Sequence, residues 1–193
     1  MAQGLIRDTE MDAPYTDPRD GQVYETVRYT TTFPDQTSQS FRWMTRNLNY
    51  TMEESDWYNG DEAHGSTYGQ LYTWEAAMQA CPTGWHLPTD EDWYQLSFHF
   101  GGNCSAGLDL KADSPLWENP QLRGTGVSYF QALPAGQGSN QGRYFGLGHT
   151  AIFWSATDRD ETTTWDWKFI RESEVQRWYG GKLAKHSVRC VAD

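Results

Sequence analysis

Residues 81–93 read CPTGWHLPTDEDW, and this stretch decides how the middle of the chain folds. Pro82 and Gly84 predict the end of one helix, because proline lacks a backbone donor and glycine favours turns. Thr89 predicts the start of a second helix, since the acidic residues after it resemble a capping box and suit the helix dipole. The stretch therefore predicts two short helices joined by a turn.

Each predicted helix carries one apolar stripe. The first helix is predicted from Tyr68 to Cys81, because its apolar residues recur at helical spacing. Its stripe consists of Leu71, Trp74, Met78 and Cys81. The second helix begins at Thr89 and ends at the glycine pair 101–102, and its stripe consists of Trp93, Leu96 and Phe100.

Short strand-like runs lie on both sides of the helices. They are residues 22–29, 41–45, 151–155, 165–170, 175–179 and 187–191, with Gly180-Gly181 as a hairpin turn. Residues 103–150 are predicted to be a long irregular segment, and such segments are usually functional. This order predicts an α+β fold, with two helices packed on small antiparallel sheets and long irregular loops.

The domain organisation is simple. Residues 1–16 lack periodicity and are predicted to be a flexible leader or linker remnant. Residues 17–193 are predicted to form a single domain, because no internal repeat or second composition class follows.

The charge balance excludes some function classes. The chain has 15 Lys+Arg and 26 Asp+Glu, a formal net charge of −11. Nucleic acids and anionic membrane surfaces both need clustered basic residues, so neither is expected as a partner. No apolar run is long enough to cross a bilayer, and direct membrane insertion is not expected.

Aromatic residues provide an unusual share of the core. The chain has 10 Trp and 11 Tyr, and large rings can replace scarce aliphatic side chains because each removes much area from water. The predicted core rings are Trp74, Trp85, Trp93, Trp154, Trp165 and Trp167.

Three cysteines allow two interpretations. In a cytosolic protein all three would be reduced, whereas in an exported protein one pair would form a disulfide. Cys81 and Cys190 are the better pair, because one ends a predicted helix and the other lies in a strand-like run. Such a bridge would close a loop of about 110 residues, worth on the order of 4–5 kcal/mol in the chain-entropy account. Cys104 would then be a free thiol in a loop.

Catalytic and metal-binding patterns are absent from the sequence. The five histidines are scattered, so no zinc site is expected. Acidic clusters at 61–62, 91–92 and 158–161 read as solvated charge, since a calcium loop would need an ordered ligand spacing. No cofactor and no catalytic residue is therefore predicted.

Several motifs together resemble one family. They are DPRDGQVY (17–24), RNLNY (46–50), YGQLYTW (68–74), CPTGWHLPTDEDW (81–93), ALPAG (132–136), FWSAT (153–157) and SVRCV (187–191). In this order they resemble the Fibrobacter succinogenes major paralogous domain. The resemblance implies a C-type-lectin-like fold on bacterial surface proteins, and it implies that Cys81 and Cys190 form the family's usual disulfide.

Residues 153–193 also resemble the diversified segment of the variable proteins of diversity-generating retroelements. In that pattern a fixed scaffold displays variable residues that bind new ligands. The candidate ligand-binding residues are Arg159, Asp160, Asp166, Lys168, Ile170, Arg171, Glu174, Gln176, Trp178, Tyr179 and Leu183.

Strand alternation supports this division between scaffold and surface. Trp165, Trp167 and Phe169 share one strand face and are predicted to face the core. The opposite face carries Asp166, Lys168 and Ile170, an acid, a base and an aliphatic residue, and this mixed face is expected to face solvent or a partner. Trp178 and Tyr179 either cover the core from a loop or act as binding anchors, because Trp and Tyr dominate interface hot spots.

Three functions remain open at this point. The first is an exported, cell-surface ligand-binding domain of adhesin or receptor type, for which a protein ligand is favoured over a glycan and an upstream anchoring or pilus domain is plausible. The second is an enzyme similar to the formylglycine-generating, sulfatase-modifying enzymes, whose chemistry uses two reactive cysteines. The third is a structural surface domain without a ligand.

Overall fold

The computed structural model describes residues 4–193, and within that range thirteen strands form two main sheets. The strands are β1 (Ile6–Thr16), β2 (Val23–Thr32), β3 (Ser38–Met44), β4 (Ser55–Asp56), β5 (Leu71–Tyr72), β6 (Trp85–His86), β7 (Ala135–Gly138), β8 (Tyr144–Leu147), β9 (Ala151–Asp158), β10 (Thr163–Phe169), β11 (Gln176–Gly181), β12 (His186–Ser187) and β13 (Val191–Ala192). The helices are α1 (Gly65–Tyr68), α2 (Trp74–Ala80), α3 (Asp90–His99) and α4 (Ala106–Leu110), with 3-10 turns at Tyr58–Gly60, Glu62–His64 and Pro120–Leu122.

The first sheet has the strand order β1-β2-β3-β13-β6, with every pair antiparallel. The second has the order β11-β10-β9-β12-β5-β4, and β7 joins it beside β9 and also pairs with β8. The α+β prediction is therefore confirmed at the level of short helices with mostly antiparallel sheets.

The N-terminal segment differs from the predicted flexible leader. Ile6–Thr16 forms strand β1, which pairs with β2 from Ile6↔Thr32 to Thr16↔Val23. The leader prediction was wrong over these residues because pairing with a neighbouring strand orders a segment that has no apolar periodicity of its own. Residues 1–3 of that predicted leader lie outside the described residues.

The predicted first helix, residues 68–81, divides into three elements. Tyr68 ends α1, β5 follows, and Trp74 begins α2. Gly69 breaks the helix with φ 72°, at a point where an added Cβ would lie 2.6 Å from the Leu48 carbonyl oxygen. The buried side of α2 consists of Ala76, Ala77 and Ala80, so the predicted stripe through Met78, which is exposed, was wrong.

The second predicted helix is confirmed. The Thr89 side chain accepts from the Asp92 amide while the Asp92 carboxylate accepts from the Thr89 amide, which is a complete capping box. Trp93 and Leu96 are buried and Phe100 is partly buried.

The predicted irregular segment 103–150 contains more structure than expected. It includes α4, one 3-10 turn and the β7–β8 pair. The strands β7 and β8 have four residues each and contain glycine, so their local sequence patterns are too weak to predict them.

The last predicted strand, 187–191, is split between the two sheets. β12 belongs to the second sheet and β13 to the first. Between them the buried Arg189 donates to the Met44 and Phe130 carbonyls and to Asn47 Oδ1. These bonds explain the break, because they anchor the guanidinium between the sheets.

The core is built on rings, as predicted. Trp93, Trp154 and Trp167 are fully buried and Trp85 is buried. Trp74 is partly buried and packs against the core, whereas Trp165 is partly buried outside both core clusters, so its assignment to the core was wrong. Trp43 and Trp117 complete the set of fully buried tryptophans.

The disulfide joins Cys81 to Cys190, with 5.8 Å between their Cα atoms, and it links the end of α2 to the residue before β13. Cys104 is free and exposed. The predicted pairing is confirmed.

Candidate ligand-binding surface

The predicted binding residues centre on the antiparallel pair β10–β11. Its register opposes Trp165 to Tyr179, Asp166 to Trp178, and Lys168 to Gln176. Strand β10 lies between β9 and β11, so both its edges are paired. Strand β11 is the last strand of the sheet and is paired along one edge. The pair therefore presents its outermost strand to solvent.

Two large rings on β11 are exposed. Trp178 is 54% exposed and Tyr179 is 42% exposed. Their rings stack with centroids 5.6 Å apart and planes 10° apart. Of the two sequence alternatives, the structure does not favour rings that cover the core, because both leave large areas in water.

Guanidinium groups lie over Tyr179 and over Trp165, the ring opposite it on β10. The Arg159 guanidinium carbon lies 4.0 Å from the Tyr179 centroid, and that of Arg177 lies 3.3 Å from the Trp165 centroid. Trp165 and Tyr179 meet edge to face at 6.3 Å. Cation–π contacts of this kind orient the rings and restrict their rotamers before any ligand arrives.

The loop between β9 and β10 is ordered by Asp160. Its carboxylate accepts from the Thr163 hydroxyl and from the amides of Thr162 and Thr163, and these bonds hold its pKa well below the usual range. The same carboxylate accepts from Arg159 at 2.9 Å. The acid thus positions the guanidinium that lies over Tyr179.

Sequence reasoning missed the residue that fastens β11 to the scaffold. Arg177 Nε donates to Asp90 Oδ2 at 2.6 Å, and Trp167 Nε1 donates to Asp90 Oδ1 at 2.9 Å. Asp90 also lies in the first turn of α3, where a carboxylate suits the helix dipole. No local signal marks this contact, because Asp90 resembles any other helix-start acid.

Asp166 was predicted to face solvent or a partner, and that prediction was wrong. The residue is 0% exposed, and both its carboxylate oxygens lack a hydrogen-bond partner within residues 4–193. Oδ1 lies 3.6 Å from Lys168 Nζ and Oδ2 lies 3.9 Å from His186 Nδ1. The face is covered because His186, stacked on Trp154 at 3.9 Å, and Gly180 both lie against it.

Burial controls the ionisation of this pair. It raises the pKa of Asp166 to about 7, against the opposing effect of Lys168. It lowers the pKa of His186 to about 3, and Lys168 lowers it further. The contact therefore joins a neutral imidazole to a carboxyl group near its titration point, and it is not an ion pair at neutral pH.

The other predicted residues near β10–β11 differ in exposure. Lys168, Ile170, Glu174 and Gln176 are half-buried, and Arg171 is exposed.

The buried Lys111 anchors the loop that contains Arg171 and Glu172. Its Nζ donates to the carbonyls of these two residues at 2.7 and 2.8 Å, and burial lowers the pKa of Lys111 to about 8.

Leu183 lies apart from the rings. It is 64% exposed and borders a cavity of about 480 Å³ together with Glu54, Glu75 and Lys182. Leu183 does not lie on β11 with Trp178 and Tyr179, because a turn closed by the Ala184 amide and the Gly181 carbonyl follows that strand.

The described part of the chain shows neither a metal-binding cluster nor a membrane-spanning helix. Among residues 4–193 there is no group of three or more His, Cys, Asp or Glu side chains that could hold a metal ion. Over the same residues, none of the helices has the length and apolarity to cross a bilayer.

The fold and surface together define a disulfide-bonded α+β domain that carries exposed rings on an edge strand of its larger sheet. The model of the Fibrobacter succinogenes major domain matches residues 27–192, and the chain belongs to this family. Comparison with curated proteins and with solved structures found no match.

Proposed function

We propose that this protein is an exported ligand-binding domain of adhesin or receptor type, with β10–β11 and the adjoining loops as its binding surface. One observation carries the proposal: Trp178 and Tyr179 are exposed, yet they stack on each other, Tyr179 is covered by the Arg159 guanidinium, and their strand is fastened to the core through Arg177. Rigid exposed Trp, Tyr and Arg side chains are the residues that dominate interface hot spots.

We further propose a C-type-lectin-like architecture and the role of a diversity-generating retroelement variable protein. The support is the distribution of burial along residues 153–193. Trp154, Trp167 and Phe169 are buried scaffold, whereas Arg159, Asp160, Arg171, Trp178 and Tyr179 are exposed. Exposed positions can vary without disturbing the core, since surface substitutions usually change stability little.

The proposed ligand is a protein and not a glycan, and no cofactor is proposed. Rings and guanidinium groups bind protein surfaces without a metal. The net charge of −11 disfavours nucleic acid. The disulfide supports an oxidising, extracellular or cell-surface setting, and an upstream anchoring or pilus domain would fit that setting.

Catalysis is not part of the proposal. An enzyme that uses two reactive cysteines needs both thiols, but Cys81 and Cys190 are bridged and Cys104 is the one remaining thiol. A structural domain without a ligand is the remaining alternative, and the exposed ring pair argues against it.

Sequencing the locus in many members of one bacterial population tests the proposal. We expect differences to concentrate at exposed positions within 158–186, while the buried Trp154 and Trp167 and the bridged cysteines stay constant. A nearby reverse-transcriptase gene with a template repeat would strengthen this result. Differences spread evenly along the chain would refute the variable-protein role.

A further inference from the structure

The outer edge of β11 is open. The strand pairs with β10 on one side, and residues 176–180 make no backbone–backbone hydrogen bond to any other part of the described chain. In an antiparallel strand alternate residues direct both backbone groups away from the partner. The outward groups of β11 are therefore available to another extended backbone.

The long edge strand of the first sheet, β1, is protected in the usual ways. It carries the charged residues Asp8, Glu10 and Asp12, contains Pro14, and has a register break between Asp12 and Tyr15. Charges, prolines and bulges are the devices by which natural proteins prevent strand addition at an edge.

The remaining edges are too short or too irregular to accept a strand. β4 and β6 have two residues each. β8 has four, and Gly146 within it has φ 76°, which is outside the extended conformation.

β11 has none of these protections over its six residues QRWYGG. Its one charged side chain, Arg177, is held by Asp90. Its exposed side chains, Trp178 and Tyr179, are large apolar rings. An edge left open in a protein that protects its other long edge indicates a binding function.

We propose that β11 binds an extended segment of a partner protein as an added strand of the second sheet. This inference rests on the proposed binding function and names its mode: backbone hydrogen bonds supply affinity, and the two rings select side chains of the incoming strand.

Charge at the two ends of the edge specifies the partner further. All six Lys and Arg residues between 158 and 185 form ion pairs: Arg159, Lys168, Arg171, Arg177, Lys182 and Lys185. Glu161 and Glu172, at opposite ends of the hairpin, form none within residues 4–193. The incoming strand is therefore basic, and a second copy of this chain, at −11, is disfavoured.

The test uses the intact oxidised protein and three synthetic peptides. The first alternates lysine with valine, the second replaces lysine by glutamate, and the third is the basic peptide with every backbone amide N-methylated. Binding is followed by fluorescence polarisation, and amide hydrogen exchange locates the bound segment.

We expect the basic peptide to bind and to slow amide exchange within residues 176–180 by about tenfold or more, while β1 is unchanged. The N-methylated peptide should bind about tenfold more weakly or worse, because it cannot donate backbone hydrogen bonds. The Glu161→Gln/Glu172→Gln variant should weaken the basic peptide several-fold, and Asp8→Asn/Glu10→Gln on β1 is the matched control.

Three outcomes would overturn the inference. Equal binding of the N-methylated peptide would show recognition by side chains alone. Protection at β1, or no protection, would exclude β11 as the docking edge. A concentration-dependent dimer protected at β11 would make a second copy the occupant. Each of these leaves the diversity test at the locus intact, so the two proposals fail separately.

Discussion

Arg177 on β11 is bonded to Asp90 in the first turn of α3, with 2.6 Å between Arg177 Nε and Asp90 Oδ2. The other oxygen of the same carboxylate accepts from Trp167 on β10. One acid therefore holds both strands of the proposed binding surface against the scaffold helix. Such a clamp would allow neighbouring exposed residues to change while the strands keep their position.

Replacing Asp90 should weaken this clamp. Asp90→Asn keeps the shape and an acceptor for Trp167 but removes the charge facing Arg177, and we expect a loss of about 1.5–3 kcal/mol in the free energy of unfolding. Urea denaturation measures it. Asp12→Asn, whose partner Arg28 is more exposed, is the control and should cost about 0–1 kcal/mol. A smaller loss for Asp90→Asn than for Asp12→Asn would contradict the clamp.

The two adjacent glycines of β11 should respond differently to alanine. A Cβ at position 180 would lie 3.0 Å from Asp166 Oδ2 and 3.2 Å from His186 Cε1, whereas one at Gly181 would meet nothing within 4 Å. We expect Gly180→Ala to lower the free energy of unfolding by about 1–3 kcal/mol, because the added methyl group overpacks this site. Gly181→Ala should change stability by about 0.5 kcal/mol or less. Thermal unfolding of the two variants compares them, and equal effects would show that the contact with Asp166 is unimportant.

The buried Asp166 and His186 should have opposite effects on pH dependence. The folded pKa of Asp166 is raised from 3.8 to about 7, so the contribution of this group to the free energy of unfolding falls as pH rises through that interval. The folded pKa of His186 is lowered from 6.5 to about 3, so its contribution rises over nearly the same interval. The wild-type protein should therefore show little net slope from these two groups between about pH 4 and pH 6.5.

Asp166→Asn removes only the falling contribution. The stability of this variant relative to wild type should then increase from about pH 4 to pH 7, by at most about 1.4 kcal/mol per pH unit, and level off above pH 7. Urea titrations at several pH values measure the difference. Asp113→Asn, at an exposed carboxyl, is the control. A difference that does not vary with pH would mean that Asp166 is already ionised at pH 5.

Removing the disulfide should destabilise the folded protein strongly, because the bridge restricts an unfolded loop between residues 109 positions apart. The Cys81→Ala/Cys190→Ala variant is expected to lose about 3–5 kcal/mol, and Cys104→Ser should be nearly neutral. Thiol titration of the denatured wild type should find one free thiol before reduction and three after it. Three reactive thiols without reductant would revive the enzyme alternative.

Structural features that depend on residues close together in the sequence were predicted correctly. The capping box at Thr89 acts over three residues, and α3 begins and ends close to where its sequence predicts. The first helix was predicted less well. It is divided at Gly69, which lies close to the distant Leu48 carbonyl, and Thr73 then caps a separate helix, α2. Trp167 and Phe169 of β10 face the core as predicted, but the opposite face of the strand is covered as well, at Asp166.

The family, the bridged cysteines, the capped helix α3 and the ring-rich core could all be predicted from the sequence, since each depends on local bonding, composition or ordered motifs. Long-range contacts set three other features: Asp166 is buried, a side chain at position 180 would press on Asp166 and His186, and Arg177 reaches Asp90, 87 residues away. These contacts arise because β11 and β12 bring Gly180 and His186 over one face of β10. No periodicity within β10 records which distant residues will cover it.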